Sequence, residues 1–141
     1  MNKLLLKLAI TVAVGSLLSS SPIMGQVSPT TPRAARVRIS QGPELELANA
    51  YDNSVIIRWT SNNPGGTDQH YGVVHYGPNP KELTQTAKSP NRMNRSHPDM
   101  IFRVRLPDPK PKTTYYYTVE STQATGKNDG VKSPEKSFST P

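Results

Sequence analysis

The chain has 141 residues, 33% of them hydrophobic, with seventeen Lys and Arg against ten Asp and Glu, a formal net charge of +7 and no cysteine. This length suits a single domain behind a leader, and the missing cysteines exclude a disulfide framework, a thiol nucleophile and a thiolate metal site. The positive balance bears on solubility and on attraction to polyanions, not on fold.

Residues 1–25 have the pattern of a secretory signal peptide. Lys3 and Lys7 form a basic head, Leu8 to Leu18 a short apolar centre, and Ser19–Ser21 then Pro22-Ile23-Met24-Gly25 a small, polar tail. The apolar run is shorter than the roughly 20 residues a membrane span needs. Cleavage is expected after Gly25, leaving Gln26; an uncleaved anchor is the alternative. With no cysteine to acylate, a lipoprotein is excluded. Removal of Lys3 and Lys7 leaves fifteen cationic against ten acidic residues, a charge of +5. Residues 26–35 are rich in Pro, Ser and Thr without periodicity and read as a flexible lead-in. The chain is therefore expected to be exported, to periplasm or medium.

From Arg36 to Pro141 helical periodicity is nearly absent, and short alternating runs are separated by Gly, Pro and Asn. Strands are predicted at Arg36–Ser40, Glu44–Ala48, Ser54–Thr60, Tyr71–Tyr76, Glu82–Thr86, Asp99–Leu106, Thr113–Ser121 and Lys136–Thr140. Turn signals fall between them at Gln41-Gly42-Pro43, Asn62 to Gly66, Gly77 to Pro80 and Asp108 to Lys112. About seven or eight strands in roughly 100 residues indicate an all-β, two-sheet sandwich of immunoglobulin-like type. Alternation sends Val37 and Ile39 inward, with Val55, Ile57, Trp59, Val74 and Tyr76. Met100, Phe102, Val104 and Leu106 follow, then Tyr115, Tyr117, Val119 and Phe138. Trp59 and these tyrosines are expected to be structural core. Tyr115 opens a late strand just after a proline-bearing turn, which suits a tyrosine corner.

Ser54-Val55-Ile56-Ile57-Arg58-Trp59-Thr60, Val74-His75-Tyr76-Gly77, Pro111 to Val119 and Phe138-Ser139-Thr140-Pro141 together resemble, in order and spacing, the N-terminal fibronectin type III-like domain of purple acid phosphatases. The resemblance covers essentially all of 36–141. One departure concerns the corner, where Pro109 stands in place of the usual leucine. In the resembled family the chemistry belongs to a separate, downstream two-metal domain carrying Asp-x-Gly, Gly-Asp-x-x-Tyr, Gly-Asn-His-Asp/Glu and Gly-His-x-His segments. None of these occurs here, so no catalytic residue, metal ligand or cofactor is assigned, and the chain is expected not to be an enzyme.

Residue chemistry points the same way. The chain has no Gly-x-Ser-x-Gly elbow, and Gly65-Gly66 lacks the Lys-Ser/Thr of a phosphate loop. His75 is expected to face outward and His70 to take the opposite face, with all three histidines solvated rather than gathered on a metal. Asn94-Arg95-Ser96 matches a glycosylation acceptor, relevant only in a eukaryotic secretory pathway. Tyr51, Tyr71 and Tyr116 are scattered candidates for stacking on sugars. The main constellation is cationic: Arg36, Arg38, Arg58, Arg103 and Arg105 alternate with inward residues. The resembled topology places their strands in one sheet, so they form one outward face for an acidic polymer or an acidic protein surface. Solvated strand positions that deter edge pairing are the plainer alternative.

Three functions follow as expectations. The first is a monomeric, non-catalytic binding or accessory module of the cell envelope. The second is a detached N-terminal domain of a purple acid phosphatase whose catalytic half is missing or encoded separately. The third is a small enzyme with an unrecognised site.

Overall fold

A computed structural model describes residues 36–49, 51 and 54–141. The expected signal peptide, 1–25, and lead-in, 26–35, lie outside the described residues. Eight strands follow in order: β1 (Ile39–Asn49), β2 (Ser54–Asn62), β3 (Gln69–Gly77), β4 (Gln85–Arg92), β5 (Asp99–Leu106), β6 (Thr114–Gln123), β7 (Asn128–Lys132) and β8 (Lys136–Ser139). They form two antiparallel sheets. One has the order β1-β2-β5; the other runs β4-β3-β6-β7, with β8 also paired to β6.

The alternation expected of half-buried strands is clearest in β5. Met100, Phe102, Val104 and Leu106 are buried while Ile101, Arg103 and Arg105 are exposed. Across the sheet, Trp59 lies opposite Phe102 in register, and their rings stack with centroids 5.1 Å apart. Val55, Ile57, Trp59, Val74, Tyr76, Tyr115, Tyr117, Val119 and Phe138 join the same core, and Ile39 packs against it half-buried. Facing them is Gly72 of β3. A methyl group there would come within 2.9–3.1 Å of Val104, Trp59 and Phe102, so only glycine lets these rings approach the strand.

Three strand predictions need correction. Arg36–Ser40 and Glu44–Ala48 are not separate: Ile39–Asn49 is one strand, with register shifts around Gln41 and Glu44. The Gly42–Pro43 peptide is cis, Gly42 has φ +78°, and a side chain on it would meet the Arg58 carbonyl at 2.8 Å. The Gly-Pro pair thus makes a bulge on an edge strand rather than a turn. The Glu82–Thr86 strand lies further on, at 85–92, where Pro90 is tolerated because β4 is an edge. β7 has no counterpart in the sequence reading.

The tyrosine corner is formed. The Lys110 N–H donates to the Tyr115 hydroxyl at 2.9 Å, and Pro109 is buried in the turn. The C-terminal residues are stitched to that turn. Thr140 Oγ donates to the Lys110 carbonyl at 2.7 Å and accepts from the Thr113 N–H at 2.9 Å, while the Lys112 N–H reaches the Pro141 carbonyl at 3.0 Å.

Candidate functional site

The five arginines of the sequence reading fall into two places. Arg58 and Arg103 are register partners on β2 and β5, and Arg105 is two residues further on the same outward face. β1 supplies glutamates beside them: Arg58 Nη1 lies 3.1 Å from Glu44 Oε1, and Arg103 Nε lies 2.9 Å from Glu46 Oε2. This face therefore mixes charge, three arginines with two glutamates. Ile101, 42% exposed, adds apolar surface to it.

Arg36 and Arg38 instead line an open groove between the sheets, of about 890 Å³, together with Lys132 and Lys136. Its apolar lining comes from Val37, Ile39 and Pro43 on one wall and Val131 and Pro134 on the other; no Asp or Glu is among the described residues that line it. Both walls are anchored. Asn62 of β2 accepts from the Arg38 N–H at 2.6 Å, and its own N–H donates to the Arg38 carbonyl at 3.2 Å. Opposite, buried Ser133 accepts from the Val119 N–H at 2.9 Å and ties the β7–β8 connection to β6. Lys136 Nζ donates across the groove to the Pro43 carbonyl at 2.8 Å, and the Tyr117 hydroxyl reaches the same oxygen at 3.4 Å. Burial, reinforced by the charge of Glu44, pushes the Tyr117 phenol up to about 12. Burial and then Tyr115 raise that of Tyr76 as well.

The histidines do not converge. His75 is half-buried on the outward face of β3, where Nδ1 meets Thr86 Oγ1 at 3.1 Å and Nε2 meets Glu120 Oε1 at 3.0 Å. His97 Nδ1 accepts from the Asp99 N–H at 3.2 Å in an exposed loop. His70 corrects the sequence reading: it is wholly buried, not solvated. Its Nδ1 lies 2.9 Å from Asp129 Oδ2 and its Nε2 3.0 Å from the Gly65 carbonyl. Ser121, also buried, donates to the same Asp129 oxygen at 2.7 Å. Sealed from solvent, these three groups tie β3, β6 and β7 together and offer no surface for chemistry. Among the described residues no group of three or more His, Asp or Glu is placed to hold a metal. The tyrosines are likewise dispersed. Tyr71 is paired with Thr122 and Tyr116 with Gly77, at opposite ends of the β3–β6 ladder, and Tyr51 stands exposed beyond β1.

Two sheets of three and five strands, a stacked tryptophan and a tyrosine corner define a fibronectin type III-like sandwich. The family model described as purple acid phosphatase, N-terminal domain, matches residues 40–140, and the chain belongs to that family. The matched domain is the non-catalytic part of those phosphatases. No curated protein and no solved structure matches the chain. No helix among the described residues is long and apolar enough to cross a membrane.

Proposed function

We propose that this chain is an exported, non-catalytic binding or accessory domain that meets an acidic macromolecular partner through its basic surface. The observation that carries the reading is the charge on that surface. Arg58, Arg103 and Arg105 share an outward sheet face, and Arg36 and Arg38 stand beyond its edge in a groove whose described lining has no acidic residue. Guanidinium forks bind carboxylates, phosphates and sulfates in pairs, and an exposed cationic face gains on-rate and selectivity from such a partner. The donor set favours binding over catalysis, since each histidine is engaged in an internal hydrogen bond and His70 is sealed from solvent.

A second reading is favoured by the extent of the family match, which spans nearly the whole sandwich. In it the domain serves as the N-terminal part of a metal-dependent acid phosphatase. Capture of partners from envelope extract by the exported form, Gln26 to Pro141, separates the two. An anionic glycan or acidic protein that elutes with salt supports the first, because salt screens exposed charges. A metallophosphatase supports the second, and recovery of neither overturns both. For the sheet face itself, the Arg103→Ala, Arg105→Ala double variant is expected to elute from a sulfated matrix at clearly lower salt; unchanged elution removes that face from the reading.

A further inference from the structure

We propose that the groove between β1 and the β7–β8 connection docks an extended acidic peptide carrying a bulky apolar residue. This rests on reading the chain as a binding module, and it moves the specific contact from the sheet face into the groove.

The pattern of the walls names the occupant. Along one wall cations alternate with apolar residues, Arg36-Val37-Arg38-Ile39; along the other Val131 is followed by Lys132, and Pro134 precedes Lys136. Among the described lining residues Arg36 and Arg38 meet no carboxylate, whereas Lys132 is also the register partner of Glu120, and on the sheet face Arg58 and Arg103 each already hold a glutamate. The groove is thus where this surface leaves positive charge uncompensated locally. A ligand there needs acidic groups to meet the rim and an apolar body to cover Val37, Ile39 and Val131. A hydrophilic anionic glycan meets the first need but leaves the apolar lining wet; a peptide with carboxylates flanking a leucine-like side chain meets both.

The groove also decides how such a peptide is held. Pro43 and Pro134 have no N–H, and both stand in the walls. A continuous backbone ladder is therefore not on offer, and recognition falls to side chains rather than to strand addition. The walls are set in advance: Asn62 fixes the Arg36–Arg38 backbone, buried Ser133 fixes the opposite segment, and Lys136 closes the space against the Pro43 carbonyl. Fixing the walls before binding lowers the ordering cost of the complex.

The test measures fluorescence anisotropy of a labelled peptide, a central leucine flanked by paired glutamates, against the exported chain. Comparators are a leucine-free glutamate peptide of equal charge and labelled dextran sulfate. The expected result is saturable binding of the leucine peptide, weakened about tenfold or more by Arg36→Ser with Arg38→Ser. Lys132→Ser is expected to weaken it as well, and Lys88→Ser, on the exposed face of edge strand β4, to leave it unchanged. Val131→Asp, on the groove lining, should abolish it with the fold retained by circular dichroism. Equal binding of the leucine-free peptide overturns the proposal, as does indifference to the groove variants. Preference for dextran sulfate, lost in the Arg103/Arg105 variant, overturns it too while leaving the broader reading of a polyanion-binding module intact.

Discussion

Both imidazole nitrogens of His70 lie within hydrogen-bond distance of oxygens, those of the Asp129 carboxylate and the Gly65 carbonyl. The result is a polar pair with both side chains almost wholly out of water, in which Ser121 supplies a further donor and Asp129 Oδ1 has no partner among the described residues. Such a pair adds little compared with an apolar substitute, but removal of one member strands the other. Asp129→Asn or His70→Ala is expected to cost about 3–5 kcal/mol in urea denaturation, and His70→Met with Asp129→Leu less than the sum of its single changes. Additive losses would mean that the two residues are not coupled. Half of this site was legible in the sequence. Val74 and Tyr76 of β3 were expected to point inward, and the same alternation, carried back through Gly72, reaches His70. Parity sets His70 on the face opposite the outward His75, yet an ionisable ring is expected in solvent, and only the fold shows it buried. Asp129 was not legible at all, because it stands 59 residues away in a segment to which the sequence assigns no strand.

Among the elements, β3 is the one the core is built around, and its tolerance is limited by Gly72. Gly72→Ala presses a methyl group onto Trp59, Phe102 and Val104, so a loss of roughly 1–3 kcal/mol is expected in thermal or urea unfolding. A neutral or stabilising effect would show that the stacked rings have room to shift. Most strand identities followed from alternation, because a sandwich strand shows one face to the core and one to water, as β2, β5 and β6 do. Edges were harder. β4 buries only Ala87 and Met93 lies just past its end, so its pattern carries almost no period. β7 contains Asn128-Asp129-Gly130, whose residues signal a turn; pairing with β6 and the buried Asp129 make it a strand instead. In β1 the Gly-Pro pair broke the sequence pattern without breaking the strand. Composition near an edge reports the bulge, and only the partner strand reports the pairing.

For the molecule as a whole, cohesion between the sheets is the central matter, since no cysteine bridges them. The core rings provide most of it, and along the groove side the Pro43 carbonyl receives both Lys136 and Tyr117 from the opposite sheet. Tyr117 gives this closure an alkaline limit. Its folded pKa, raised from 10.0 to about 12, favours the neutral phenol, so its contribution is complete below pH 10 and is lost as pH rises towards 12. That displacement corresponds to roughly 2–3 kcal/mol. Stability measured from pH 9 to 12 is expected to fall, and to fall less steeply in Tyr117→Phe, the remainder coming in part from Tyr76, whose phenol is raised too. Identical slopes would place the alkaline sensitivity elsewhere. The distribution of charge was the least legible feature at this scale. Alternation put arginines outward, but which of them meet glutamates depended on the β1 register, and Lys132 joined Arg36 and Arg38 only through a strand the sequence did not reveal. The anchoring of the last residues carries one more consequence. Because Thr140 and Pro141 are bonded to the backbone of the corner turn, the position of these last residues is set by the turn. The end of the sandwich is thereby tethered to the corner rather than held by the β6–β8 pairing alone.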